Sequence, residues 1–216
     1  FWIDALSINQ DDRSERGHQV NQMRAIYSGA SEVVSWLGAE SKDIDQQQCE
    51  IPSDLGMSEA LPYLGKQSYW TRVWIVQELM SATNATLKCG AHCVTWSAIV
   101  QFIRQVGCDH FRWLEWPEEF AHPVGTVVGW LDGITQMQGL SMSPPRSTSL
   151  RSALLHTRTK MARDPRDAVY AIIGLIDLGA GLHMRSDYSR SPFQVYCAAI
   201  GILLKDMDKP AADKRY

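Results

Sequence analysis

No apolar run in the 216-residue chain approaches the roughly 20 residues that a membrane-spanning helix needs, which excludes a helical channel or transporter and sets membranes aside as partners. Blocks of like charge are missing too. The 21 basic and 24 acidic residues are interspersed, for a formal net charge of -3, so no basic face invites DNA or RNA and nucleic acid is excluded as a partner. No secretory leader is visible, because Phe1-Trp2-Ile3 leads straight into Asp4. A first residue other than Met points to a piece of something longer, and the expected location is intracellular, in the cytoplasm. The cysteines, at 49, 89, 93, 108 and 197, form an odd set too sparse for a disulfide scaffold and suited to a reducing compartment. Cys89, His92, Cys93, Cys108 and His110 invite a zinc reading. Yet the first pair is Cys-x3-Cys with His92 wedged inside, and Cys108-Asp109-His110 supplies no second well-spaced pair. No metal ligands are therefore assigned, and thiols on a hairpin are expected instead. A glycine-rich dinucleotide fingerprint and an internal repeat are also absent.

What the chain does have is apolar mass: 45% hydrophobic residues and eight tryptophans suffice for one sizeable core. Phe1 to Leu6 reads as a buried strand with Asp4 near its C-terminal end, the place where open α/β sheets bind ligands. Residues 7–16 read as a polar loop, with Ser14 as helix cap. Val20, Met23, Ile26 and Tyr27 at helical spacing predict an amphipathic helix over 15–29, ended near Gly29. Residues 31–38 form the next strand, and strand–helix–strand order argues for a parallel pair. A connecting loop spans 39–58, and Met57 to Leu64 suggests a helical turn. Residues 85–90 and 92–96 predict a hairpin turning at Gly90-Ala91. Ile99, Phe102, Ile103 and Val106 predict a helix from Ser97, and the remainder is mainly helical, interrupted by Pro117, Pro123 and a loop over 141–146. Asp164 before Pro165 suits a helix N-terminus, with Arg166 and Asp167 as a structural ion pair. Ser191-Pro192 opens the last helix, with Phe193, Tyr196, Cys197, Ile200 and Leu204 expected on its buried side.

The most informative stretch is Trp70-Thr-Arg-Val-Trp-Ile-Val-Gln-Glu-Leu79. Positions i and i+4 share a helix face, so Trp74 and Glu78 are expected to line one surface. Desolvation beside an indole disfavours a charged carboxylate, and a carboxylate so perturbed in a cleft is a candidate for acid, base or cation-stabilising work. Bracing of a neighbouring loop is the plainer role for Glu78. Core packing is the plainer role for Trp74, and Asn9 and Gln10 could simply brace their own loop.

Taken together, three segments resemble the HET domain, the heterokaryon-incompatibility domain of filamentous fungi. They are Trp2-Ile-Asp-Ala-Leu-Ser-Ile-Asn-Gln-Asp-Asp12, Arg72-Val-Trp-Ile-Val-Gln-Glu-Leu79 and Asp164-Pro-Arg-Asp-Ala-Val-Tyr-Ala-Ile-Ile-Gly-Leu175. Linking pieces agree in order, including Val33-Val-Ser-Trp-Leu-Gly38 and Asp187-Tyr188. The chain departs from the family in two ways: the usual opening strand, a Leu-Ser-Tyr-x-Trp-Gly type segment, is missing, and Ser7 stands where the family commonly has Cys. The resemblance implies a role in growth arrest and cell death after unlike fungal cells fuse. The order of elements is also similar, more remotely, to the TIR domain. That implies an α/β, TIR-like (flavodoxin-like) fold: a short parallel sheet flanked by helices over 1–96, and a mainly helical C-terminal part over 97–216 packed on it. In TIR enzymes the glutamate of the Trp-x3-Glu motif works on the ribose during cleavage of nicotinamide from NAD, and by position that residue is Glu78.

Two readings stay open. In one, the domain is a signalling module that self-associates or binds other death-signalling domains, with no cofactor. In the other it is an NAD glycohydrolase, with NAD as substrate. Breaking the nicotinamide–ribose bond builds an oxocarbenium-like cation, which a fixed carboxylate at Glu78 would stabilise, while Asp4, Asn9, Gln10 and Trp74 flank the ligand. A metal-dependent nuclease built on Asp4, Asp11 and Asp12 ranks behind both, since these carboxylates lie in one short segment.

Overall fold

An aspartate starts the first long helix. In the computed structural model, which describes residues 1–38, 67–90, 92–106, 150–176 and 184–207, Asp12 Oδ1 accepts the backbone N–H groups of Ser14 (2.8 Å) and Glu15 (3.1 Å). These bonds satisfy two donors that an uncapped helix leaves open, so Asp12, not Ser14, caps helix α2, Arg13–Gly29. The helix buries Val20, Met23 and Tyr27 and stops at Gly29 as its periodicity predicts.

Residues 1–6 do not form a strand. Ile3 is extended, but Asp4–Ser7 closes a single helical turn, α1, with Ser7 N–H donating to the Ile3 carbonyl at 2.8 Å. Local side chains explain the difference. Asp4 Oδ1 accepts from Ala5 N–H (2.8 Å) and Ser7 Oγ from Ile3 N–H (3.3 Å), which diverts the backbone from a ladder into a turn. Phe1 and Leu6 are exposed, while Trp2 meets Tyr27 edge-on at 5.8 Å.

The described sheet has three strands in the order β1 (Val33–Gly38), β2 (Ala85–Cys89), β3 (His92–Thr95). β1 pairs with β2 in parallel, rather than with residues 1–6, and β2 pairs with β3 antiparallel. The expected hairpin is present: Gly90 has φ 54°, a left-handed conformation that glycine adopts without a Cβ clash. Cys89 is buried and disulfide-bonded, so of the two hairpin cysteines Cys93 is the free, exposed thiol. β1 alternates strictly, with Val33, Ser35 and Leu37 inward and Val34 and Trp36 outward.

A 3-10 turn, Ser68–Thr71, leads to α3, Ile75–Ser81. α4 (Trp96–Val106) packs on β2 and β3; α5 (Leu150–Thr157) and α6 (Asp167–Ile173) pack on each other; α7 is Pro192–Met207. The molecule is thus mixed α/β, with helices on a small sheet, and one apolar core runs through residues from every strand except β3 and from α2 to α7. No described helix is long and apolar enough to cross a membrane. The loop expected over 39–58, the turn at Met57 to Leu64 and the features from 107 to 149 lie outside the described residues.

Helix α7 faces the core with a different side from the one expected. Val195 and Ala199 are buried, whereas Phe193, Tyr196, Cys197, Ile200 and Leu204 are exposed. The helix is apolar nearly all round, so its period does not select a face; the small Ala199 lets the opposite side approach the core, and α7 contacts α6. Before the last helix, residues 184–190 cross α2 closely. A Cβ on Gly17 would stand 3.1 Å from the Ser186 carbonyl oxygen, and Asn21 bonds Ser186 through both its amide nitrogen (to O, 3.1 Å) and its oxygen (from N–H, 2.9 Å).

Candidate functional site

Backbone pairing between distant segments builds the site. Val73 N–H donates to the Met161 carbonyl (3.0 Å) and Met161 N–H to the Thr71 carbonyl (2.6 Å), forming an isolated parallel bridge at Arg72 and Met161. The bridge holds residues 161–167 against 71–74. Together with α1, the 8–11 loop and the first turns of α2, they line an open cleft of about 880 Å³, within the range of small-molecule sites. Asp4, Gln10, Asp11, Arg72, Trp74 and Arg163 are among its polar and aromatic lining, and Val20 and Met23 supply apolar lining.

The end of the cleft at α6 is a closed polar network centred on Asp167. Its carboxylate is buried and accepts from Arg16 Nη2 (3.1 Å), Tyr188 Oη (2.6 Å) and the Trp74 indole (3.3 Å). Arg16 also bonds Asp164 at 3.2 Å, and its guanidinium lies 3.8 Å over the Tyr188 ring. Arg166 is paired with Asp164, not with its neighbour Asp167 as the sequence suggests, through Nε (2.9 Å) and Nη2 (2.7 Å). It donates as well to the carbonyls of Tyr188 (2.5 Å) and Arg190 (2.8 Å). The expected helix start is displaced accordingly: Asp164 accepts Arg166 N–H in a turn, and α6 begins at Asp167. The two carboxyls shift in opposite directions. Arg166 hydrogen bonds hold Asp164 below the usual range, whereas burial pushes Asp167 up against the pull of Tyr188 and Arg16.

Glu78 sits behind this cleft rather than in its lining. Its side chain is 12% exposed, with Oε1 3.8 Å from Arg72 and Oε2 3.1 Å from the Tyr69 hydroxyl. Tyr69 also lies 2.8 Å from Ser35 Oγ on β1. One phenolic hydrogen cannot serve two acceptors, so Ser35 donates to Tyr69 and Tyr69 donates to Glu78. Burial raises the Glu78 pKa, opposed by Arg72 and by the Tyr69 bond and assisted weakly by the Asp4 charge. The expected desolvation is therefore present, and Glu78 N–H bonds the Trp74 carbonyl one turn back at 3.1 Å. The two side chains nonetheless go to different partners.

Of the sequence-nominated residues, Asp4, Gln10 and Trp74 line the cleft. Asn9 does not: its N–H bonds Glu15 Oε1 (3.0 Å) and its Oδ1 accepts Asp11 N–H (3.2 Å), bracing its own loop. Gln10 reaches the Asp4 carbonyl at 3.4 Å. Sequence reasoning missed Arg16, Arg72, Arg163 and Tyr188. For Arg163 a signal existed, the charged turn over 157–167. For Arg16 there was none, since its partners lie 148 and 151 residues away.

Residues 1–78 match the family described as "Heterokaryon incompatibility protein (HET)". The chain is also 24% identical, over 247 aligned positions covering 88% of its length, to "Heterokaryon incompatibility protein 6, OR allele" of Neurospora crassa. It spans 36% of that relative's length. No solved structure matches the chain. The matched region begins at residue 1 and ends at Glu78, taking in α1, α2, β1 and the Trp74 wall, and over these residues the chain is similar to the heterokaryon-incompatibility (HET) family.

Proposed function

We propose that this chain serves fungal incompatibility as a self-associating signalling module whose engagement leads to growth arrest. The observation that carries the reading is the outward face of α7. Phe193, Cys197, Ile200 and Leu204 recur at intervals of four, three and four residues, the spacing of a coiled-coil seam. Phe193 is 76%, Ile200 53% and Leu204 56% exposed. A contiguous apolar stripe of this kind is costly in water and marks an interaction surface, and an identical helix from a second copy offers a self-complementary match. The family match and the relative's name support the incompatibility context.

Sedimentation of the purified chain over a wide concentration range tests the reading. The wild type is expected to associate, and the double variant Phe193→Ser, Leu204→Ser to stay monomeric with its fold intact, because neither side chain packs inward. Expressed in a filamentous fungus, the same variant is expected to lose growth arrest. Full arrest by a monomeric variant would overturn the proposal. Nicotinamide release from NAD that disappears in Glu78→Gln would replace it with an enzymatic reading.

A further inference from the structure

The arginines of the cleft are not equally engaged. Of the four arginines on its walls, Arg16 and Arg166 are consumed by Asp164, Asp167 and the carbonyls of 188 and 190. Arg72 and Arg163 are different. Arg72 is 49% exposed, and its carboxylate contact, Glu78 at 3.8 Å, is beyond hydrogen-bond range. Arg163 is exposed and forms no hydrogen bond or ion pair with any described residue. The backbone bridge between Arg72 and Met161 brings both residues into the lining of the same hollow, Arg163 lying two residues beyond Met161.

Two arginine forks with donors outside hydrogen bonds in one cavity lining suit a planar or tetrahedral oxyanion, which each can bond bidentately. Beside them, the exposed Met161 side chain and the Trp74 indole, fixed by its bond to Asp167, form an apolar and aromatic surface. The same lining holds Asp4 and Asp11, which repel a second anion and accept from hydroxyl or amine donors.

We propose that this cleft binds a small organic oxyanion, with its phosphate or carboxylate between Arg72 and Arg163 and a flat apolar body against Trp74 and Met161. Isothermal titration of the purified chain with phenyl phosphate, benzoate, inorganic phosphate and phenol tests it. Phenyl phosphate or benzoate is expected to bind, and whichever binds tighter identifies the anionic group. Inorganic phosphate should bind at least tenfold more weakly for want of the ring, and phenol, lacking the charge, not measurably. Arg163→Gln, which removes no contact among the described residues, should weaken the aryl anion about tenfold and leave the melting temperature unchanged; Arg72→Lys should weaken it while keeping the charge beside Glu78. Asp11→Asn should tighten anion binding. The absence of binding by every anion, or equal binding by wild type and Arg163→Gln, overturns the proposal. Pro192 at the start of α7 also lines the cleft, but Arg163 lies outside the Phe193–Leu204 stripe, so loss of anion binding with retained self-association, or the reverse, separates this site from the signalling surface.

Discussion

At the scale of single residues, Asp167 is the position on which most depends. It is a buried carboxylate satisfied by a guanidinium, a phenol and an indole, from α2, from residue 188 and from residue 74. Removing one partner of such a pair strands the other, so Asp167→Ala is expected to cost at least about 3 kcal/mol, read as a drop in urea midpoint. Tyr188→Phe deletes only the 2.6 Å bond to the carboxylate and is expected to cost about 2 kcal/mol. Equal losses in the two variants would show that the phenol, rather than the arginine, is the principal partner. The sequence reveals the charged turn at 163–167 but not this arrangement. Adjacency favours pairing Arg166 with Asp167, yet once α6 starts at Asp167 the neighbouring side chains diverge around the helix, and only the folded chain delivers Arg16. Glu78 presents the reverse case. Its perturbation is legible from the apolar run around it, while its partner Tyr69 and the Ser35 hydroxyl behind it are tertiary facts.

Elements follow the same division. Where one signal governs, the expected structure is found: α2 from its apolar period and the hairpin from its turn at Gly90. The cap of α2 gives a direct check, because Asp12→Ala removes both bonds to Ser14 and Glu15 and is expected to cost about 1 kcal/mol. A change much below that, measured by thermal unfolding, would mean that Glu15 and the loop bonds hold the helix start without it. Where two signals compete, the sequence misleads. Phe1 to Leu6 has strand composition, but Asp4 and Ser7 offer the backbone nearer partners than a neighbouring strand. In α7 two apolar faces compete, and fit against α6 decides between them. Of the cleft, Asp4, Gln10 and Trp74 were legible because their types and motif suggested a ligand; its arginines were not, because the bridge joining residues 72 and 161 leaves no local trace.

For the molecule as a whole, Glu78 contributes a pH dependence of known sign. Its folded pKa is raised above the ordinary 4.5, so the folded state holds a proton that the unfolded state has released. That contribution to stability is complete below about 4.5 and is lost as pH climbs through the raised value. Urea midpoints between pH 4 and 8 should therefore fall more steeply for wild type than for Glu78→Gln, with the two profiles diverging upward from about 4.5. Parallel profiles would place the carboxyl in a more watery setting than its 12% exposure implies. Lys160, pushed down to about 8 by burial, has the opposite slope at alkaline pH, because its proton is held less tightly after folding and stability rises as it leaves. The crossing at Gly17 has a consequence of its own. Since Ser186 is bracketed by Asn21 and its carbonyl stands against a residue with no side chain, the early helix and this late segment can only separate together. In deuterated buffer the Ser186 amide should therefore exchange in step with the middle amides of α2, as one cooperative unit spanning nearly the full sequence, and a bulkier residue at position 17 should unprotect both at once.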